Sequence, residues 1–247
     1  MEFFSLDRQP DFETGEVIIF DKPYSWTSFD VVNKVRKKIS EYTGIRNKFK
    51  VGHAGTLDPL ATGILVLCTG KKTKLIEELQ GGTKVYEAEF CLGATTPSFD
   101  LETKIDKTFD ISGITEEQIR TALAGLCGER EQMPPVYSAV QVNGKRAYEF
   151  ARKGRTVELK HKLITVYDIA VNSIELPIVN VTITCSKGTY IRSLADEFGR
   201  SLGNGAHLKA LRRTQSGEAK IEDAVKLEDF VKYIEEKINN GKNVLNL

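Results

Sequence analysis

Two hydrophobic periods alternate along the chain and divide it into elements. Residues 16–21 (EVIIFD) read as a short buried strand ended by Lys22-Pro23. Thr27 and Asp30 then fit a capping box, and Val31, Val32, Val35 and Ile39 recur at helical spacing with Lys and Arg on the opposite face. Residues 61–69 are almost uniformly apolar. The run 64–67 predicts a central strand or a buried turn, before a helix containing residues 73–79 that Gly81-Gly82 closes. Residues 84–92 alternate, with Tyr86, Ala88, Phe90 and Leu92 on one face, as a half-buried strand requires. Residues 93–113 are polar and predict a loop with little packing. Thr115 and Gln118 box the start of a helix whose inward stripe is Ile119, Ala122, Leu123 and Leu126.

Further along, Asn143-Gly144 signals a hairpin turn, and residues 163–176 and 178–185 carry strand patterns separated at Pro177. Lys187-Gly188 turns the chain, Thr189 can cap, and Ile191, Leu194, Ala195, Phe198 and Leu202 form a helical stripe. Arg192 at that helix start opposes the helix dipole and calls for a carboxylate partner, for which Asp58 is the candidate. An extended segment over 203–217 and a helix around 227–238 complete the chain. Irregularly alternating strands and helices without a repeat predict an α+β fold on a mixed, mainly antiparallel sheet. The expected organisation is a polar N-terminal arm over 1–15, one domain over 16–217 and a short helical tail over 218–247.

Composition narrows the classes. With 40% hydrophobic and 28% charged residues the chain has the balance of a soluble globular protein, with no run long enough to cross a bilayer and no signal peptide. Cys68, Cys91, Cys127 and Cys185 are widely spaced and read as buried free thiols. They and His53, His161 and His207 show no zinc-ligand spacing, so no metal is expected, and the cysteine usage points to a reducing cytoplasmic compartment. The net charge of +1 hides a basic segment over 34–50 that includes Lys48 and Lys50. It fits a solvated helix face with a basic loop equally as well as a phosphate-binding surface. The same two readings hold for Lys145, Arg146, Tyr148, Phe150 and Arg152: an amphipathic helix with inward aromatics, or cations for phosphates with aromatics for bases.

The densest chemistry lies in residues 51–74, VGHAGTLDPLATGILVLCTGKKTK. Pro59 restricts Asp58 to extended or turn geometry, which puts its carboxylate at a turn tip. An isolated Asp-Pro is an ordinary turn dipeptide. Here His53, the Gly55-Thr56 approach and the apolar run that follows crowd the acid into a partly buried setting, as a functional carboxylate requires.

The motifs DKPYSWTS (21–28), GHAGTLDPLATGILVL (52–67), KVYEA (84–88), PPVYSAVQVNGKRAYEFAR (134–152) and CSKGTYIRSLADEFG (185–199), in this order, resemble the TruB-type tRNA pseudouridine synthases. The resemblance implies the pseudouridine synthase fold and isomerisation of uridine to pseudouridine in the T loop of tRNA, at tRNA position 55, without a cofactor. It implies that Asp58 is the nucleophile, that Tyr86 packs on the flipped-out base, and that Arg192 pairs with Asp58. It also implies that His53 holds the tRNA loop open, that Lys22, Lys187, Tyr190 and Leu211 lie at the substrate, and that residues 129–160 form an RNA-gripping insertion. Many members continue into an RNA-binding PUA domain, and the 218–247 tail is expected not to form a complete one. The implied protein acts on the T arm of tRNA as a monomer, free of membrane.

Two other readings compete. An RNA chaperone that opens the tRNA elbow rests on the aromatic and basic stretch and is compatible with the enzyme. A glycoside hydrolase with Asp58 as nucleophile lacks a second carboxyl group beside Asp58.

Overall fold

The computed structural model describes residues 2–45, 49–138, 140–142, 144–151, 153–155 and 157–245, with the backbone only for Tyr148 and for 241–245. In chain order the elements are β1 (Val17–Lys22), α1 (Ser28–Thr43), β2 (Val51–His53), β3 (Ala61–Thr69), a 3-10 turn (Gly70–Leu75) running into α2 (Ile76–Leu79), and β4 (Lys84–Leu92). There follow β5 (Ala94–Thr95), β6 (Lys107–Thr108), α3 (Glu116–Ala124), β7 (Gly128–Gln132), β8 (Gln141–Val142), β9 (Lys145–Arg146) and α4 (Ala147–Ala151). The rest is β10 (Lys162–Glu175), β11 (Ile178–Cys185), α5 (Ile191–Ser201), β12 (Ala206–Ser216), β13 (Ala219–Lys220), a 3-10 turn (Ile221–Asp223), β14 (Val225–Lys226) and α6 (Leu227–Leu245). The fold is α+β with mainly antiparallel pairing, β1 with β14 being a parallel exception. The chain divides into two compact units, one formed by the residues up to Lys84 with those from Arg212 onward, the other by Val85–Leu211. The sequence predicts a single domain with an arm and a tail; the division instead joins both chain ends in one unit.

In the first unit the strand order is β14-β1-β3-β12. β1 and β3 pair antiparallel from Val17 opposite Cys68 to Lys22 opposite Gly63. Strand alternation sends Ile18 and Phe20 to one face and Val17 and Ile19 to the other. The first face packs on Val31, Val32, Val35 and Ile39 of α1 and on Phe230 and Ile234 of α6; the second packs on Ile64, Val66 and Ala219. The N-terminal segment is not a polar arm. Phe4 and Phe12 are buried, edge-on to Phe230 at 6.0 and 6.3 Å. These aromatics fit neither period, and they pack on each other, on Tyr42 of α1 and on the distant α6. The Thr27–Asp30 box forms in both directions, at 3.0 and 2.9 Å, and Gly44 ends α1 in the left-handed region with φ 71°.

In the second unit β4, β11, β10 and β7 lie side by side in that order, with the 206–211 half of β12 beside β4. Phe90 of β4 meets Phe198 of α5 at 5.7 Å, and Thr115 caps α3 through its box with Gln118. Two expectations change here. The N-cap of α5 is Tyr190, and Thr189 donates its hydroxyl to the Ser186 carbonyl instead. Residues 93–113 are well packed in part: Ala94, Thr96, Ser98 and Asp100 are buried, because their Ser, Thr and Asp side chains satisfy the loop's own backbone. Two of the four thiols, Cys68 and Cys185, are buried, whereas Cys127 is exposed. No helix among the described residues is long and apolar enough to cross a membrane.

Gly63 marks the tightest approach in the first unit. Its φ is +95°, and a Cβ there would lie 2.2 Å from the carbonyl oxygen of Arg213. Gly63→Ala is expected to destabilise the protein by about 3 kcal/mol or more, combining steric overlap with a strained backbone. Urea unfolding of the variant measures it.

Candidate functional site: the Asp58 loop and the Arg192 helix start

β2 leads into the Asp58 loop and β3 leads out, paired from Val51 opposite Thr69 to His53 opposite Leu67, and Ala54 N–H closes the pair on Val66 O at 2.8 Å. The Asp58 carbonyl accepts from Ala61 N–H at 3.1 Å, so Asp58 and Pro59 occupy the first two positions of a four-residue turn, where both residue types are favoured. Behind the half-buried Asp58, Leu57 is sunk in the core. Its N–H donates to Ser28 Oγ at 2.8 Å, and Leu57 O lies 2.9 Å from the same hydroxyl, pinning the loop to the first turn of α1.

Two buried cations hold the loop backbone. Arg213, 2% exposed, donates from Nε and Nη2 to Ile64 O at 2.8 and 2.6 Å, from Nη2 to Gly55 O at 3.1 Å and from Nη1 to Thr56 O at 3.5 Å. Lys22, fully buried, donates from Nζ to Trp26 O at 2.6 Å, Pro23 O at 2.9 Å and Pro59 O at 3.3 Å. The ammonium of Lys22, a residue expected at the substrate, meets backbone carbonyls inside the unit. Burial pulls its pKa down to about 8, opposed by the nearby Asp58 and Asp30 carboxylates. Burial, and then the Arg213 charge, also lowers the pKa of His53, so its imidazole is neutral at physiological pH. His53 Nδ1 is buried and has no hydrogen-bond partner among the described residues.

In the second unit Arg192 occupies the second position of α5 and is 3% exposed. Its contacts include the Asp100 carboxylate at 3.6 Å, Ser98 O at 3.3 Å and Tyr137 O at 3.1 Å. Asp100 thus supplies a carboxylate that the unfavourable placement at a helix N-terminus demands. Its loop is knitted by Thr96, Ser98 and Thr103 hydroxyls and carries Phe99 at φ 63°, an uncommon conformation for a residue with a side chain. Tyr190 exchanges two backbone hydrogen bonds with the Gln132 amide, at 2.8 and 3.1 Å. Tyr86 is buried on β4, Leu211 is half-buried on β12, and Lys187 is exposed in the turn before α5.

Among the residues expected to meet RNA, Lys50 is exposed before β2, and Lys145 and Arg146 are exposed on β9. Lys48, Arg152 and the Tyr148 side chain lie outside the described residues. No group of three or more His, Cys, Asp and Glu among the described residues is placed to hold a metal ion. Sequence reasoning missed Arg213 and Asp100. The Arg212-Arg213 pair held a signal for the first: adjacent strand residues face opposite ways, so one of the two must turn inward when that face is covered. Arg212 turns the other way and makes a bidentate pair with Asp21, at 2.7 and 3.1 Å.

Residues 40–191 match the family model described as TruB family pseudouridylate synthase (N terminal domain), and residues 192–245 match the tRNA pseudouridylate synthase B C-terminal domain. The chain is 52% identical over 226 residues to tRNA pseudouridine synthase B of Phocaeicola vulgatus, covering 92% of this chain and 96% of that protein. It is also similar to a solved chain of a Cbf5-Nop10-Gar1 complex, with a TM-score of 0.67 and 32% identity over 93% of this chain and 58% of that one. A second solved chain, from an H/ACA RNP bound to a substrate RNA containing 2'-deoxyuridine, gives a TM-score of 0.67 and 28% identity over 97% of this chain and 60% of that one. The chain thus spans less than two thirds of the length of these two solved chains.

The depressed Lys22 pKa gives a stability signature. Between pH 8 and 10.5 the unfolded chain keeps a proton here that the folded chain has released, so this group favours folding increasingly as pH rises through that window. The stability of the native protein relative to Lys22→Met is expected to rise by roughly 2–3 kcal/mol across it. Urea midpoints of both proteins at a series of pH values test this, and a constant difference would refute it.

Proposed function

The chain belongs to the TruB family of pseudouridylate synthases and isomerises uridine to pseudouridine in tRNA, and we propose that Asp58 is its nucleophile and the T-loop uridine at tRNA position 55 its target. The observation that carries this reading is the Asp58 loop: a half-buried carboxylate at the tip of a turn whose backbone is fixed by Arg213, Lys22 and Ser28. A nucleophile acts through preorganised geometry, and here the rigidity lies in the main chain around it.

The reaction breaks the bond from N1 of uracil to the ribose and makes one from C5, while a proton leaves C5 and one is gained at N1. Electrons balance within the nucleotide, so an unassisted carboxylate can serve. The base must leave its stack first, which costs a few kcal/mol of unstacking. In this reading Tyr86 gives the extruded base a flat face, and Arg192 acts as the cation that keeps the carboxylate ionised. His53, neutral and poor in hydrogen bonds, packs against the opened loop, with Lys187, Tyr190 and Leu211 at the substrate. Lys50, Lys145 and Arg146 meet phosphates. Lys22 has the different task of holding the nucleophile's loop. A chaperone action on the tRNA elbow can accompany binding, since opening the loop precedes chemistry.

Asp58→Asn keeps the side chain's shape and removes its nucleophilicity. Pseudouridine formation at position 55 is expected to fall by at least about 10³-fold, with tRNA affinity within a few-fold of the native protein. Mapping of pseudouridine in tRNA treated with each protein reads both parts of the proposal. Normal turnover by the variant would sink the role of Asp58, and modification at another position would sink the choice of target.

A further inference from the structure

Beyond the loop, the first unit carries a charged face of which the catalytic reading uses only Lys50. Phe29, Asn33, Arg36, Lys37 and Ser40 of α1 stand at i, i+4, i+7, i+8 and i+11, which puts them on one stripe of the helix, about 17 Å long at 1.5 Å per residue. The last four, with Lys50 and Gly52 across from them, line a groove of about 1310 Å³. That exceeds the usual range of small-molecule sites and suits an extended chain. Arg36 fixes the groove wall, donating to Asn33 Oδ1 at 2.9 Å and to Val51 O at 3.1 Å.

The groove's charge is one-sided. Glu41 lines it too, but Lys38 takes that carboxylate at 2.9 Å and Glu235 at 2.7 Å. Lys37 and Lys50 have no ion-pair partner among the described residues, and the charge of Lys37 is felt at Glu41. Both α1 and β2, which line the groove, are joined to the nucleophile's loop. β2 runs from Val51 straight to His53, and Ser28 locks Leu57. The residue after Ser28 is Phe29, 60% exposed although aromatic, and the residue after Leu57 is Asp58. The Ser28–Leu57 bonds thus tie the backbone that carries this exposed ring to the backbone that carries the carboxylate.

We propose that this stripe and groove form a second RNA track, in which Phe29 stacks on a base flanking the target nucleotide and Arg36, Lys37 and Lys50 hold the phosphates of the strand that leads away from it. The proposal rests on the reading of the chain as a tRNA-binding enzyme and adds where, and in what order, the strand is held. Cations confer affinity through counterion release, whereas stacking confers it without salt dependence. The two halves of the track therefore leave different marks.

The test measures tRNA binding by the full chain at several salt concentrations. The Lys37→Gln, Lys50→Gln double variant is expected to bind more weakly and to lower the slope of log affinity against log salt by about 1–2. Phe29→Leu is expected to bind roughly tenfold more weakly at every salt concentration with an unchanged slope, and Phe29→Trp to restore affinity. Native affinity and slope in the lysine variant, or native affinity in Phe29→Leu, would overturn the proposal. Because binding is the readout, failure of the two proposals can be told apart. Native turnover at position 55 with unaffected binding by the variants removes only the track, and weakened binding by the variants when the native protein makes no pseudouridine removes only the catalytic reading.

Discussion

The buried guanidinium of Arg213 is the constraint on which the Asp58 loop depends. A planar cation with several fixed donors can satisfy the carbonyls of Gly55, Thr56 and Ile64 together, which no neutral side chain of similar size could do. Gly55 and Thr56 lie outside the strands, where the chain is turning, and Ile64 offers its carbonyl from within β3. Burying the charge is costly and is tolerated because its donors are engaged. The loop gains a fixed path, and the residues it carries inherit that precision.

The second unit reaches a similar solution independently. Arg192 is nearly as buried as Arg213, also binds main-chain carbonyls, and faces a carboxylate, Asp100, held by a loop of hydroxyl-bearing residues. In each unit an irregular segment is organised by an arginine that packs like a core residue and bonds like a strand. Lys22 is a third instance with a compact ammonium in place of the fork. The irregular backbone in both units is therefore specified by long cationic side chains arriving from regular elements, and those elements supply the stiffness.

Much of this was legible from the residues. Capping boxes at Thr27 and Thr115, alternation over β4, and the apolar run of β3 are local signals, and each element formed where its signal lay. The Asp-Pro turn was legible for the same reason: proline limits the backbone on both sides of its own peptide bond. What escaped depended on distance in the sequence. Arg213 turns inward to carbonyls of Gly55, Thr56 and Ile64 about 150 residues earlier, Phe4 and Phe12 are buried with help from the distant α6, and Asp100 is placed by a loop whose polarity suggested exposure. The resemblance named Lys22, but its burial and its three carbonyl partners had no local signal. The division into two units was hidden too, since it joins the two ends of the chain and interrupts them with the middle.

That interrupted arrangement affects how the molecule comes into being. The Asp58 loop leaves the ribosome early, yet the arginine that shapes it is encoded about 150 residues later, and α6, which covers the core of the same unit, comes later still. Val85–Leu211 can collapse as a contiguous block during synthesis, whereas the Asp58 turn has to wait for nearly the whole chain. A truncated translation product would carry every residue of that turn and lack the means to set it. The path of the Asp58 turn is in effect set only after the chain has been made past Arg213.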